Sequence, residues 1–154
     1  MKTAICQCGQ LSAVCPDEYV VHVQCSCEDC RKRTGAPTSF HIYHRASTVK
    51  LDGDFKTYHR KSFNGRNTST YFCLECGGTI SLNLDWCAEV FGEEIYAIPL
   101  ACFDDSSIPA PDISSWNCFL PDWLPSASSK ETQLDKQGES IEDLRLATKA
   151  LGVI

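Results

Sequence analysis

The chain has no apolar run near the length a bilayer span requires. It also lacks a basic surplus. Its 14 lysines and arginines stand against 20 aspartates and glutamates, a net charge of −6, which argues against nucleic acid and anionic membrane surfaces as partners. Internal repeats and long low-complexity segments are absent. Lys2 is not followed by an apolar stretch, so no secretory leader is visible. The expected setting is the reducing cytoplasm, where thiols stay free for metal. Histidine is scarce, and none occurs after His59. At 154 residues with 22% charged side chains, the composition is that of one globular domain with a full core.

What is plentiful is cysteine, with 11 residues. The odd count, the missing leader and the full-sized core argue against a secreted disulfide scaffold. Seven of the cysteines cluster: Cys6 and Cys8; Cys25, Cys27 and Cys30; Cys73 and Cys76. Spacings this tight suit a soft metal such as zinc. Seven ligands do not divide into fours, so the arithmetic predicts one closed site of four thiolates and one open site of three. A closed site is structural, whereas three ligands leave a position for water or substrate. Cys25, Cys27 and Cys30 can meet one ion through a local turn, and the economical solution joins the two doublets. Each doublet is followed by glycine, Gly9 or Gly77, which allows a turn with φ > 0 and N–H groups aimed at sulfur. Spacing alone leaves other partitions open. A thioredoxin-like redox role for Cys73 and Cys76 would need a βαβ setting, which the β-rich surroundings do not offer. Cys15, Cys87, Cys102 and Cys118 stand alone and read as small buried hydrophobes.

The β-branched and aromatic pattern predicts two strands within 11–24 around Pro16-Asp17, and further strands at 38–43, 55–60, 68–72, 79–84 and 94–100. Asn64-Gly65 marks a hairpin or loop tip. Few windows before residue 125 carry a helical period. The expected fold is mainly β, with small sheets pinned by metal and a C-terminal helix. Residues 1–125 read as the zinc-binding β domain and 126–154 as a linker and amphipathic helix. In that helix Ser140 caps, Ile141, Leu144 and Leu151 share a face, and Gly152 stops it.

The order of the clusters, with Cys30-Arg31-Lys32-Arg33-Thr34-Gly35-Ala36-Pro37 after the triad and Phe72-Cys73-Leu74-Glu75-Cys76-Gly77 after the strands, resembles the glutathione-dependent formaldehyde-activating enzyme family. That family shares its domain with centromere protein V. The resemblance covers roughly residues 4–105 and includes all seven expected cysteines. It implies an Mss-four-like fold, a structural zinc on Cys6, Cys8, Cys73 and Cys76, and a catalytic zinc on Cys25, Cys27 and Cys30. It also implies carbon–sulfur lyase chemistry, with glutathione and formaldehyde in equilibrium with S-hydroxymethylglutathione. The sequence departs from the family pattern at Thr70, at Ala101-Cys102-Phe103-Asp104 and at Asp112-Ile113-Ser114-Ser115-Trp116.

Three thiolates around Zn²⁺ leave a charge near −1, better suited to holding a fourth thiolate than to polarising a carbonyl. Zinc deprotonates a coordinated thiol, and the thiolate is the nucleophile. Arg31, Lys32 and Arg33 are candidates to anchor glutathione carboxylates, against the plainer reading of a solvated basic patch. His41, His44 and His59 are candidates to relay a proton or complete the metal shell, against that of ordinary strand residues. The competing function is a non-enzymatic zinc module, and a homodimer is possible.

Overall fold

The structure is a computed structural model. It describes residues 1–62, 65–105, 107–129, 132–136, 141–150 and 152. In chain order the elements are β1 (Lys2–Ile5), β2 (Ser12–Cys15), β3 (Val21–Cys25), helix α1 (Glu28–Thr34), β4 (Ser39–Arg45), β5 (Lys50–Asp52), β6 (Phe55–Lys61), β7 (Asn67–Cys73), β8 (Thr79–Leu84), the single-turn helix α2 (Ala88–Phe91), β9 (Ile95–Pro99), β10 (Ile113–Ser115), β11 (Gln133–Leu134) and helix α3 (Ile141–Ala150). The predicted strands are all present, and the fold is mainly β with a C-terminal helix. The two strands around Pro16-Asp17 do not pair with each other. β2 joins β1 and β5 in a three-stranded sheet, while β3 lies inside an eight-stranded one.

The large sheet has the order β11-β10-β3-β4-β9-β8-β7-β6. β10 runs parallel to β3 and β11, and the remaining pairs are antiparallel. Side chains alternate across a strand, so registers fix which residues share a face. Cys25 pairs with Ser39 and Ser115, Val21 with Tyr43, Tyr43 with Ala97 and Ala97 with Leu82. That face therefore carries Cys25, His41, Tyr43, Ala97 and Leu82 together. The opposite face meets the small sheet across the main core, where Leu11, Ala13 and Cys15 pack with Ile42, Ile80 and Ile98. A bulge where β7 meets β8 at Tyr71/Phe72 shifts the register, and Ile80 turns to this core while Leu82 joins a second cluster with Leu84, Cys87, Ile95 and Ala97.

Cys15 and Cys87 are buried as expected, and burial pushes the Cys15 thiol up to about 12. Cys102 is half-buried, with its thiol on the Thr79 carbonyl at 3.5 Å. Cys118 corrects the expectation: it is exposed, in a short turn beside Trp116 rather than on a strand face. Leu144 of α3 is buried against a pocket that Val21, Val23, Phe91, Ile113 and Leu134 also line. Arg145 Nε donates to the Glu89 carbonyl at 2.7 Å. Ser140, Leu151 and Asn64 lie outside the described residues.

Candidate metal centres

The loop after β1 and the loop between β7 and β8 bring Cys6, Cys8, Cys73 and Cys76 together, with sulfurs all within 4.8 Å of one another. Cys6 and Cys8 sulfurs are 3.6 Å apart, as are those of Cys8 and Cys73. A tetrahedral zinc with Zn–S bonds of about 2.3 Å requires sulfurs about 3.8 Å apart, so the donor set fits that ion. The cysteines are free and their sulfurs too far apart for a disulfide. Both flanking glycines take the left-handed backbone, Gly9 at φ 82 and Gly77 at φ 71. Gly77 N–H returns to the Cys73 carbonyl at 3.0 Å, and Leu11 N–H donates to the Cys6 sulfur at 3.2 Å. Two short knuckles from distant parts of the chain thus face one point.

The second cluster straddles a strand–helix junction. Cys25 ends β3, Cys27 caps α1 and Cys30 lies in its first turn. Cys30 N–H donates to the Cys27 sulfur at 3.4 Å, so a thiol does what serine or aspartate does at an ordinary N-cap. Glu28 and Asp29 fill the first turn, Arg31, Lys32 and Arg33 the last, and Gly35 closes the helix at φ 70. Ser39 and Thr38 hydroxyls donate to the Cys25 carbonyl, and Ser26 N–H donates to the Ser115 carbonyl at 3.1 Å. These bonds hold the loop that presents the three sulfurs. Hydrogen bonds from Cys25 and Cys27 hold the Cys30 thiol well below its ordinary value, with His41 and Arg33 adding to the effect. Among the described residues no histidine or carboxylate comes within 4.8 Å of all three sulfurs. Three soft donors of this kind suit zinc with a fourth position left to an outside ligand.

The triad lines a cavity of about 80 Å³, several times the space of one water. Its walls include Tyr43, Trp86, Trp116, Leu82 and Ala97, with Asp29, Arg60 and Arg66 at polar positions. Arg66 stacks over the Trp86 ring at 5.0 Å. Burial raises the Tyr43 hydroxyl well above its ordinary value, so it stays protonated at neutral pH. Trp116 is the only non-glycine described residue with positive φ, at 62.

Of the three candidate histidines, His41 lines this cavity; His44 and His59 do not. His44 is buried on the opposite face against the Glu18 carbonyl, and exposed His59 meets the Ser69 hydroxyl. His41 Nε2 lies 2.7 Å from Arg33 Nη2. A guanidinium only donates, so Nε2 accepts and the proton sits on Nδ1. Burial lowers His41 to about 4; Cys30 opposes the shift and Arg33 reinforces it. The basic run divides. Lys32 and Arg33 line a separate groove of about 530 Å³, while Arg31 lies over the Phe119 ring at 5.0 Å. The sequence reading passed over Tyr43, Arg60, Arg66, Trp86 and Trp116. They come from strands and turns far from the cysteines, and only sheet register brings them in.

Paired cysteine clusters on a small β scaffold, one with four sulfurs and one with three, define a thiolate-centred β protein. The chain belongs to the glutathione-dependent formaldehyde-activating enzyme family, whose model matches residues 1–119. A search of curated proteins returns no match. Three solved chains match. One, a crystal structure of a Rhodobacter sphaeroides protein, is 17% identical, covers 70% of this chain and 90% of its own, and has a TM-score of 0.47. That likeness is too distant to transfer a role. Among the described residues no helix is long and apolar enough to cross a membrane.

Proposed function

We propose that the protein makes and breaks a carbon–sulfur bond between glutathione, or a related thiol, and a small aldehyde such as formaldehyde, with zinc at both centres. The observation that carries this reading is the triad: three converging sulfurs, no fourth ligand among the described residues, and a cavity over them. Zinc bound there supplies a thiol with a lowered pKa. In the forward direction a sulfur lone pair of the substrate thiolate forms the bond to the carbonyl carbon. The C=O π electrons move to oxygen, which takes a proton to give the hemithioacetal. In reverse the hydroxyl proton leaves and the C–S bond breaks. Tyr43 is the neutral donor the cavity offers to that oxygen, and the Arg60 and Arg66 guanidiniums line the same space. His41, kept neutral by burial, accepts from Arg33 at 2.7 Å and orients it.

Cobalt substitution tests the reading. The thiolate charge-transfer band of the cobalt protein is expected to shift on adding millimolar glutathione, and Cys27→Ser is expected to abolish the shift. An unchanged spectrum with no calorimetric heat would overturn the thiol-ligand reading and leave a zinc-stabilised interaction module.

A further inference from the structure

The protein is acidic overall, yet the groove of about 530 Å³ beside α1 and β6 is basic. Lys32 and Arg33 come to it from α1, and Lys56 and Arg60 from β6. Asp29 is the one carboxylate among its lining residues, and it is engaged by Arg60 at 2.7 Å. Lys56, Tyr58 and Arg60 alternate onto one face of β6, opposite Phe72, Thr70 and Thr68 of β7. Thr68 and Arg60 also line the triad cavity, whereas Thr70, Phe72 and Lys56 line the groove. One strip of sheet therefore runs from the three sulfurs outward, with the Asp29–Arg60 pair in the wall common to both spaces. Lysine on an edge strand ordinarily blocks pairing with another sheet. That use does not require it to share a cavity with a helix bearing two more cations. Lys56 has no carboxylate partner among the described residues, and Arg33 Nε is a buried donor without one. Among the described residues Lys32 is held only by the half-buried Glu28, in a pair whose lysine end is exposed, a contact that a ligand carboxylate can replace.

We infer that this groove binds the anionic body of the thiol substrate, with Lys56 as its outer anchor and Lys32 and Arg33 along the side. The inference rests on the reading above and narrows it. Lys56 and Arg60 stand roughly 13 Å apart along the strand, the scale of a tripeptide and not of a single cysteine. The ligand class is therefore an elongated thiol carrying carboxylates remote from its sulfur. Small neutral thiols reach the triad without touching the groove.

The test is calorimetry on the zinc-loaded protein with glutathione, S-methylglutathione and 2-mercaptoethanol, for the parent chain, Lys56→Gln and Lys56→Glu. Lys56 is exposed, so neither variant is expected to disturb folding. Glutathione and S-methylglutathione are expected to weaken by about fivefold in Lys56→Gln and by more in Lys56→Glu, less so at high salt, with 2-mercaptoethanol unchanged. Equal glutathione affinity in all three proteins overturns the groove and leaves the thiol reading standing. Lys56-dependent binding of S-methylglutathione with no gain from a free thiol upholds the groove and overturns the thiol reading. Absence of binding by all three ligands overturns both.

Discussion

Two glycines show how differently the same residue type can be required. Gly77 sits at φ 71 beside the four-sulfur centre, and a Cβ there meets nothing within 4 Å. Gly77→Ala therefore carries only the left-handed backbone penalty, about 1 kcal/mol. Gly53, at φ 109, would place a Cβ 2.1 Å from the Gln10 carbonyl oxygen, within the loop that follows Cys8. Backbone must move to admit it, and the cost is expected to be at least twice as large. Urea melts of the two variants decide the order, and a smaller loss for Gly53→Ala would contradict it. The triad of Cys25, Cys27 and Cys30 was legible at this scale because short spacing is a local property, whereas the joining of Cys6 and Cys8 to Cys73 and Cys76 was one partition among several until the fold brought them together. The exposure of Cys118 was not, because burial depends on what packs above a turn. Nor did Trp116 announce its left-handed backbone, a conformation few bulky side chains hold.

At the scale of elements, strands with alternating β-branched residues could be read directly, and α1 could not. A seven-residue helix is too short to show a period. Its end signals were nonetheless present: acids at Glu28 and Asp29, bases from Arg31 to Arg33, and Gly35. Strand pairing was equally hidden, and with it the meeting of Tyr43, Arg60 and Trp116 around the triad. Helix α3 has ten residues, a length marginal in isolation, so docking supplies its stability. Leu144 is its one buried residue among those described. Leu144→Ala is expected to lose about 2 kcal/mol locally, raising amide exchange in 141–150 tenfold or more. The amides of β4 and β9 should be unaffected, and uniform acceleration across both regions would show that α3 is not a separate unit.

Taken whole, the molecule buries three of its four histidines, His22, His41 and His44. Burial lowers the pKa of His22, which Pro109 and Asp112 oppose, and lowers that of His44, which the Glu18 carbonyl opposes. Both folded values thus lie below the unfolded value near 6.5. Between them the unfolded chain binds more protons, so stability is complete above about pH 6.5 and falls as the pH drops through that window. Acid would also release any metal that the thiolates hold and so add to the same slope, and the comparison is therefore made at equal metal content. His44→Gln is expected to flatten the pH dependence of the melting temperature below about pH 6.5 relative to the parent chain. An identical slope would remove the histidine contribution.

The four-sulfur centre also sets an order of events during synthesis. Cys6 and Cys8 leave the ribosome about seventy residues before Cys73 and Cys76. At translation rates of about 5–20 residues per second, the first knuckle waits on the order of ten seconds as half a site. The triad has no such interval, since Cys25, Cys27 and Cys30 emerge almost together. The triad can therefore assemble first, and the four-sulfur set is complete only once β7 and the turn after it have been made. For those seconds the nascent chain carries an unpaired dithiol, open to whatever oxidant or metal its surroundings hold.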